Sequence, residues 1–96
     1  DSFGRAWRQG QSEIAIGCAG INPLDDWRGR SDRRGRELTA TVTAVADQVA
    51  AASDLVRDKN DGVPAVVVRG LDRFVTEDDG PGCLAQLRDR ADDLFR

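Results

Sequence analysis

The strongest periodic signal in this sequence is a run of small apolar residues between Val42 and Arg57. Apolar side chains recur there every three or four positions, at Val42, Val45, Val49, Ala52 and Val56. This spacing places them on one face of an α-helix and leaves Asp47 and Asp54 on a solvated face. The pattern predicts one long alanine-rich helix, and its small side chains allow another element to pack closely against it.

Three further apolar segments predict the rest of the fold. Ile14 to Gly17 is apolar enough for a short buried strand, and the β-branched run Val63–Arg69 is typical of a strand that is buried on both faces. Residues 83–95 predict a C-terminal helix, or two short ones, with a buried set formed by Leu84, Leu87, Ala91, Leu94 and Phe95. Short strands combined with a long helix and a C-terminal helix indicate the α+β class.

The length and the missing residue types exclude several classes of protein. A chain of 96 residues is expected to form one small domain, and no apolar run approaches the ~20 residues that a membrane-spanning helix needs. The first residues do not resemble a signal peptide. The absence of histidine excludes histidine-based catalysis and histidine-ligated metals. Cys18 and Cys83 fit no CxxC motif, so we expect a reduced pair in a cytoplasmic protein.

Charge is distributed unevenly along the chain. The net charge is −3, yet the segment from Arg28 to Arg36 contains five arginines and one aspartate. Two interpretations stay open for this segment: a solvated loop whose arginines meet acidic partners, or an edge that binds anions through guanidinium groups. Nucleic acid is disfavoured as a partner, because the whole chain is acidic and only one aromatic residue, Trp27, accompanies the arginines.

A few residues have the chemistry to bind metal or phosphate. Asp1 and Ser2 offer a carboxylate and a hydroxyl, which are hard oxygen ligands suited to Mg²⁺ or Mn²⁺. The adjacent pair Asp25–Asp26 has similar ligands but is more typical of a turn. Lys59, the only lysine, either contacts a phosphate or complements the C-terminal end of the predicted helix. Because the sequence has no glycine-rich phosphate loop, spacing alone identifies no nucleotide site.

Several blocks along the chain match, in order, the motifs of one enzyme family. The opening string DSFGRAWRQGQSEIAIGCAGI resembles the D-(T/S)-FGR-PWR-x-GQ-x-x-x-AIG-x-AG block of the gamma-glutamyl ligases of the deazaflavin coenzyme F420. Residues 32–38, 45–56 and 63–70 resemble the family motifs D-x-x-G-x-EL, VADE-x-A-x-AA-LV and (I/V)P-x-x-VVRG. The end of the chain, Asp92–Phe95, is similar to the end of the ligase domain in actinobacterial members, so we expect these to be its closest relatives.

The resemblance implies a fold and a reaction. Family members have a two-lobed α+β fold that dimerises, and residues 1–96 would form the C-terminal half of the ligase domain, with the N-terminal half absent. They use GTP and Mg²⁺ or Mn²⁺ to attach L-glutamate to the lactyl carboxylate of coenzyme F420-0. The implied route is an acyl phosphate, because phosphorylation gives the carboxylate a good leaving group that the amine of glutamate displaces.

The resemblance also assigns site residues, although none of them as catalytic. Asp1 and Ser2 map onto an Asp and a Thr that bind metal in the family, and Ser2 keeps the hydroxyl. The nucleotide contacts of the family, which follow the long helix, map onto Arg57, Asp58, Lys59, Asn60, Asp61 and Gly62. Archaeal members usually have Gly and an acidic or amide residue where this chain has Asp58 and Lys59. We therefore expect Lys59 to contact a phosphate and not a metal.

Two functions follow from this comparison of motifs. In the first, the chain is an incomplete ligase that works with a complementary N-terminal half and forms a homodimer. In the alternative, it is a non-catalytic dimerisation or binding module that keeps only the scaffold of the family. The two functions differ in one measurable property, since only the first predicts binding of GTP and divalent metal.

Overall fold

The computed structural model of this chain describes residues 1–77 and 82–95. Its regular elements are, in chain order, β1 (Ser2–Phe3), β2 (Ser12–Glu13), β3 (Asp25–Asp26), β4 (Val42–Thr43) and the helix α1 (Val45–Asp54). Three short 3-10 segments follow at Asp72–Phe74, Gly82–Gln86 and Arg90–Asp92. This mixture of short antiparallel strands and few helices is compatible with the predicted α+β class. The two-lobed architecture stays a prediction.

The strands of the described residues form two separate antiparallel pairs. β1 pairs with β2, so that Ser2 lies opposite Glu13. β3 pairs with β4, and the chain between them turns back through a bridge between Ser31 and Glu37. Residues 25–43 therefore form a hairpin that carries the five arginines, and we call it the arginine hairpin.

The helix is shorter than the sequence pattern predicted. α1 begins at Val45, because the preceding residues are held in β4, and it ends at Asp54. Beyond it, the amides of Leu55 and Val56 bond to carbonyls three residues back, at 3.2 Å each, which tightens the chain into a turn. The predicted apolar face is buried at Val45 and exposed at Val56. No helix in the described part of the chain is long and apolar enough to cross a membrane.

The strand predicted at Ile14–Gly17 was wrong in position. The regular strand β2 ends at Glu13, and only the Ile14 amide extends the ladder, by bonding to the Asp1 carbonyl at 2.8 Å. The next amide, that of Ala15, donates to a helix side chain instead of a neighbouring strand. The chain therefore leaves the hairpin at Ala15, whose backbone bonds to α1, while Ile14 and Ile16 stay exposed.

The strand predicted at Val63–Arg69 was also wrong. This run forms a single bridge, from Val63 to Asp58, and Val67 is 79% exposed. High β-propensity is not sufficient for a strand, because the backbone must also find an adjacent strand edge. No described residue supplies such an edge beyond Val63, so the run stays extended and unpaired.

The C-terminal segment contains two short helical turns, which was one of the two predicted forms. The burial predicted for its apolar set was wrong, because these side chains are exposed: Leu84, Leu87, Ala91, Leu94 and Phe95. Among the described residues, no element packs over them.

The core of the described residues is centred on the start of α1. Val45 and Ala46, at 4% and 6% exposure, are the buried apolar residues of the described chain, and Glu13, at 8%, is its buried charged residue. The radius of gyration is 15.6 Å, whereas a compact domain of this length is expected near ~12 Å. The chain by itself therefore leaves much apolar surface uncovered.

Candidate functional site

A cavity of about 400 Å³ lies between the β1–β2 hairpin and the end of α1. Its lining combines carboxylates, a hydroxyl and two cations with a small apolar wall: Asp1, Ser2, Glu13, Asp54, Arg57, Lys59, Val63 and Pro64. We call it the Arg57 cavity. It brings together four predicted site residues from two distant parts of the chain, namely Asp1, Ser2, Arg57 and Lys59.

Packing of the helix on β2 brings these two parts of the chain together. The Ala15 amide donates to Asp47 Oδ1 at 2.9 Å, which ties the chain just after β2 to the first turn of α1. At the other end of the helix, Asp54 is the last residue and Arg57 follows within one further turn. Their side chains then reach the β1–β2 hairpin, and the cavity forms between them.

Glu13 is the central carboxylate of the Arg57 cavity. Its Oε2 lies 3.5 Å from Arg57 Nη2. Arg57 Nη2 also donates to Asp54 Oδ1 at 2.9 Å. A buried carboxylate is stable as an ion only when it is paired, so Glu13 depends on Arg57.

The guanidinium of Arg57 has donors that its ion pairs in the described structure do not use. Both of its ion pairs use Nη2, whereas Nε is buried and has no hydrogen-bond partner in the described structure. An unpaired buried donor costs free energy. The exposed Lys59 lines the same cavity, so two cations of different reach face it.

The other four predicted nucleotide contacts form a tight turn beside the cavity. Asp58 and Val63 exchange both backbone hydrogen bonds, at 3.3 and 2.7 Å, and Gly62 closes the turn with a φ of +69°. The Asp58 carboxylate accepts the amide hydrogens of Asn60 and Asp61, at 2.8 and 3.2 Å. None of Asp58, Asn60, Asp61 and Gly62 belongs to the described lining of the cavity.

The oxygen ligands of the cavity make an incomplete metal site. Within residues 1–77 and 82–95, no group of three or more acidic or cysteine side chains converges to hold a metal ion. Mg²⁺, however, commonly takes one or two carboxylates and completes its shell with waters and phosphate oxygens. Asp1 and Ser2 fit that pattern as a pair, whereas Glu13 and Asp54 are already engaged by Arg57.

The burial of Glu13 was not predicted from the sequence, and the predicted exposure of two aspartates was wrong. Asp47 and Asp54 were expected on a solvated face, but both are half-buried, the first bonded to the Ala15 amide and the second paired with Arg57. One signal for Glu13 was present in the sequence, since it is a lone charge next to the apolar run that follows it. A charge in that position is often buried and paired.

The arginine hairpin neutralises most of its charge internally. Arg28 donates to both oxygens of Asp26, at 2.9 and 2.6 Å, and these hydrogen bonds lower the pKa of Asp26 from 3.8 to about 2. The same carboxylate raises the pKa of Arg28. Arg30 lies 3.4 Å from Asp25 and 5.5 Å from the centre of the Trp27 ring. The pair Asp25–Asp26 therefore lies in a strand and binds arginine, where the sequence favoured a turn.

The tip of the arginine hairpin is organised by one aspartate. Asp32 pairs with Arg36 at 3.3 Å, and its Oδ1 accepts the amide hydrogens of Arg34 and Arg36 at 2.8 and 2.9 Å. Arg33 and Arg34 have no ion pair within the described structure. Because three of the five arginines have carboxylate partners nearby, the structure favours the solvated loop over a dedicated anion-binding edge.

Comparison with known proteins identifies the family to which this site belongs. The model of the F420-0:gamma-glutamyl ligase family matches residues 1–70. This range contains every residue that lines the Arg57 cavity. The chain belongs to the F420-0:gamma-glutamyl ligase family. The resemblance described above is thereby confirmed at the level of the family.

Several relatives in this family carry the name coenzyme F420:L-glutamate ligase. The one from Archaeoglobus fulgidus is 49% identical over 98 residues, which cover 100% of this chain and 37% of that protein. The one from Methanothermobacter thermautotrophicus is 44% identical over 97 residues, with coverages of 100% and 38%. The one from Haloarcula marismortui is 53% identical over 73 residues, with coverages of 75% and 28%.

The comparison also defines how much of a family member this chain represents. It spans between 28% and 38% of the length of these relatives. All three relatives are archaeal, and the expected closeness to actinobacterial members stays a prediction.

Proposed function

We propose that this chain is part of a ligase that joins L-glutamate to the carboxylate of the coenzyme F420 precursor, driven by GTP and assisted by Mg²⁺ or Mn²⁺. Family membership supports this proposal, and the observation that carries it is the Arg57 cavity. The cavity combines the predicted metal ligands with the predicted phosphate-binding cations. A ligase of this kind must hold an anionic nucleotide beside two anionic substrates, which requires such a mixture of charges.

Arg57 and Lys59 are the residues that we propose to bind the nucleotide phosphates. Glu13 and Asp54 hold Arg57 through Nη2, which fixes the guanidinium in the wall of the cavity. Lys59 reaches the cavity from the turn closed by Gly62. In this arrangement, the residues 57–62 serve mainly as a rigid support for two cations.

Asp1 and Ser2 are the residues that we propose to hold the divalent cation. Their carboxylate and hydroxyl leave several coordination positions for water and phosphate oxygens, as in sites that a metal shares with a nucleotide. When bound, a divalent cation offsets the negative charge of the phosphates. The Val63 and Pro64 side chains form an apolar wall on the same cavity.

The proposed chemistry converts a poor electrophile into a reactive one. A carboxylate oxygen of the precursor attacks the terminal phosphorus of GTP, and GDP leaves, which yields an acyl phosphate. The amine of L-glutamate then attacks the acyl carbon, phosphate leaves and an amide bond remains. Arg57 and Lys59 would stabilise the negative charge on the transferred phosphoryl group, the contribution expected of arginine and lysine in phosphoryl transfer.

We further propose that the N-terminal half of the ligase domain packs on this chain. Exposed apolar side chains support such a partner, among them Ile16, Leu84 and Leu87, as does the radius of gyration of 15.6 Å. The length of the relatives supplies a suitable occupant, since most of each relative lies outside the aligned residues. We propose that the assembled ligase acts as a homodimer in the cytoplasm. We also propose that actinobacterial members are close relatives, because the sequence Asp92–Phe95 is similar to the end of their ligase domain.

A chimera tests the proposed function. The segment of the Archaeoglobus fulgidus ligase that aligns with this chain is replaced by residues 1–96, and GTP-dependent addition of L-glutamate is measured by mass spectrometry. We expect turnover, with loss of activity when metal is chelated by EDTA. Asp1→Ala combined with Ser2→Ala should abolish turnover, and Arg57→Ala should raise the KM for GTP by about tenfold or more.

The matched control for these variants is Arg33→Ala in the arginine hairpin, which should leave both kcat and KM unchanged. A chimera that is folded and dimeric but does not bind GTP in calorimetry would instead support the non-catalytic dimerisation module. Full activity of the variant that lacks Asp1 and Ser2 would contradict the proposed metal site.

A further inference from the structure

Both cysteines lie in the wall of a second cavity, which has no part in the proposed ligase chemistry. This cavity has a volume of about 590 Å³ and lies between the segment after β2 and the C-terminal helical turn Gly82–Gln86. Cys18 lines it from one side, and Cys83 lines it from the other. The two thiols are free and half-buried.

Contact between Cys18 and Gly82 brings the two thiols together. A Cβ atom on Gly82 would lie 2.7 Å from Cys18 Sγ and 3.3 Å from the Cys18 carbonyl oxygen, so Cys18 packs directly on the Gly82 backbone. Cys83 is the next residue along the chain, and its side chain lines the same cavity as Cys18. The Cys83 Sγ atom lies 4.0 Å from the carbonyl oxygen of Ala15. Two thiols that are far apart in the sequence therefore share one pocket.

We propose that Cys18 and Cys83 form a reversible disulfide by exchange with a low-molecular-weight disulfide such as glutathione disulfide. The bond would join the segment after β2 to the C-terminal helical turn and would close a loop that contains α1. Closure of such a long loop restricts the unfolded chain strongly, so oxidation stabilises the fold. The proposal does not depend on the ligase activity.

The exchange balances with glutathione disulfide as the only oxidant. The Cys18 thiolate attacks one sulfur of glutathione disulfide, forms a mixed disulfide and releases one glutathione thiolate. The Cys83 thiolate then attacks the Cys18 sulfur and releases the second glutathione. Two cysteine thiols lose two protons and two electrons, and one glutathione disulfide becomes two glutathione thiols. Burial, with a contribution from the neighbouring Cys18, raises the pKa of Cys83, which favours Cys18 as the first nucleophile.

An equilibrium titration tests the proposal on residues 1–96 within the chimera described above, where the rest of a ligase surrounds them. The chimera is incubated in glutathione buffers of increasing disulfide-to-thiol ratio, free thiols are alkylated, and proteolytic fragments are mapped by mass spectrometry. We expect the internal disulfide to form in native buffer at a ratio about 100-fold lower than in denaturant, because the fold holds the thiols together. Equal ratios in the two conditions would overturn the proposal, as would glutathione adducts on both cysteines in native buffer.

Three variants connect this result to the geometry. Cys18→Ser and Cys83→Ser should each give one glutathione adduct and no internal crosslink. Gly82→Ala keeps both thiols but places a methyl group against the Cys18 sulfur. The fold-difference between the disulfide-to-thiol ratios needed in native buffer and in denaturant, which we call the native advantage, should therefore fall by about tenfold. The matched control, Gly17→Ala, adds a methyl group with no neighbour within 4 Å and should behave as the unmodified chimera does. An unchanged native advantage in Gly82→Ala would contradict the proposed contact.

Discussion

The Arg57 cavity and the arginine hairpin both contain several charged residues, but the partners of their ion pairs differ in how far apart they lie in the sequence. In the arginine hairpin, the partners are close in sequence, as in the pairs Arg28–Asp26 and Arg36–Asp32. In the Arg57 cavity, Glu13 meets Arg57 only after α1 has packed on β2. The density of charge along the sequence therefore marks a solvated hairpin, whereas the candidate site is built from sparse residues brought together by the fold.

The variant with the largest expected loss of stability disrupts the packing of α1 on which the cavity depends. Ala46→Asp places a charge at the buried position of α1 that faces Glu13 of β2, and it should lower the free energy of unfolding by about 3–4 kcal/mol. Urea denaturation measures the change. Gln48→Asp, at an exposed position of the same helix, should cost less than ~0.5 kcal/mol. Equal losses in the two variants would contradict the assignment of the core.

A second test removes the charge that joins the two parts of the cavity. Glu13→Gln leaves Arg57 with Asp54 as its only carboxylate, and it should lower the free energy of unfolding by about 1–2 kcal/mol. Glu37→Gln removes an exposed charge from the arginine hairpin, and the expected change is below ~0.5 kcal/mol. If the two substitutions have the same effect on urea denaturation, burial does not distinguish the two regions.

Two glycines separate effects on stability from effects on binding. Gly62, beside the cavity, and Gly35, in the arginine hairpin, have φ values of +69° and +80°. Alanine at either position should therefore cost about 1 kcal/mol. Only Gly62→Ala displaces the turn that carries Lys59, so calorimetry of the chimera should show weaker GTP binding for this variant alone. Weaker binding in Gly35→Ala would show that the arginine hairpin takes part in the site.

The smallest expected effect concerns the exposed pair in the arginine hairpin. The pKa of Asp26 is lowered from 3.8 to about 2 by its hydrogen bonds to Arg28, so the stabilisation is present above pH 3.8 and is lost as the pH falls towards 2. Titration of the carboxyl carbon by NMR should give this low midpoint in the chain and a midpoint near 3.8 in Arg28→Ala. Salt should weaken the shift, because both groups are exposed. An Asp26 midpoint that does not respond to Arg28→Ala would contradict the pairing.

The parts of the fold that the sequence predicted depend on local interactions. The three- and four-residue spacing predicted a helix from Val42 to Arg57, and the structure has a shorter helix at Val45–Asp54. Its ends differed, because the start is held in β4 and the end tightens into a turn, and neither is visible in the spacing. The strand at Val63–Arg69 was wrong for a similar reason, since its propensity is local but the strand edge it needs is not.

The candidate site shows the same division. The motif resemblance predicted Asp1, Ser2, Arg57 and Lys59, and the structure brings these four to one cavity. It did not predict the burial of Glu13, because that carboxylate gains its partner only through the docking of α1 on β2. The sequence indicates the chemistry of individual side chains, but the ion pair between Glu13 and Arg57 depends on the tertiary structure.

The hydrogen bond from the Ala15 amide to the Asp47 carboxylate has a consequence for the order in which this chain opens. A single side chain protects that amide, so its exchange with deuterium requires only that the helix separate from the hairpin, with no need for the helix to unwind. Amides inside α1 exchange only when the helix itself opens. The exchange rate of one backbone hydrogen, compared with those of the helix, therefore measures how often the cavity comes apart while its walls stay folded.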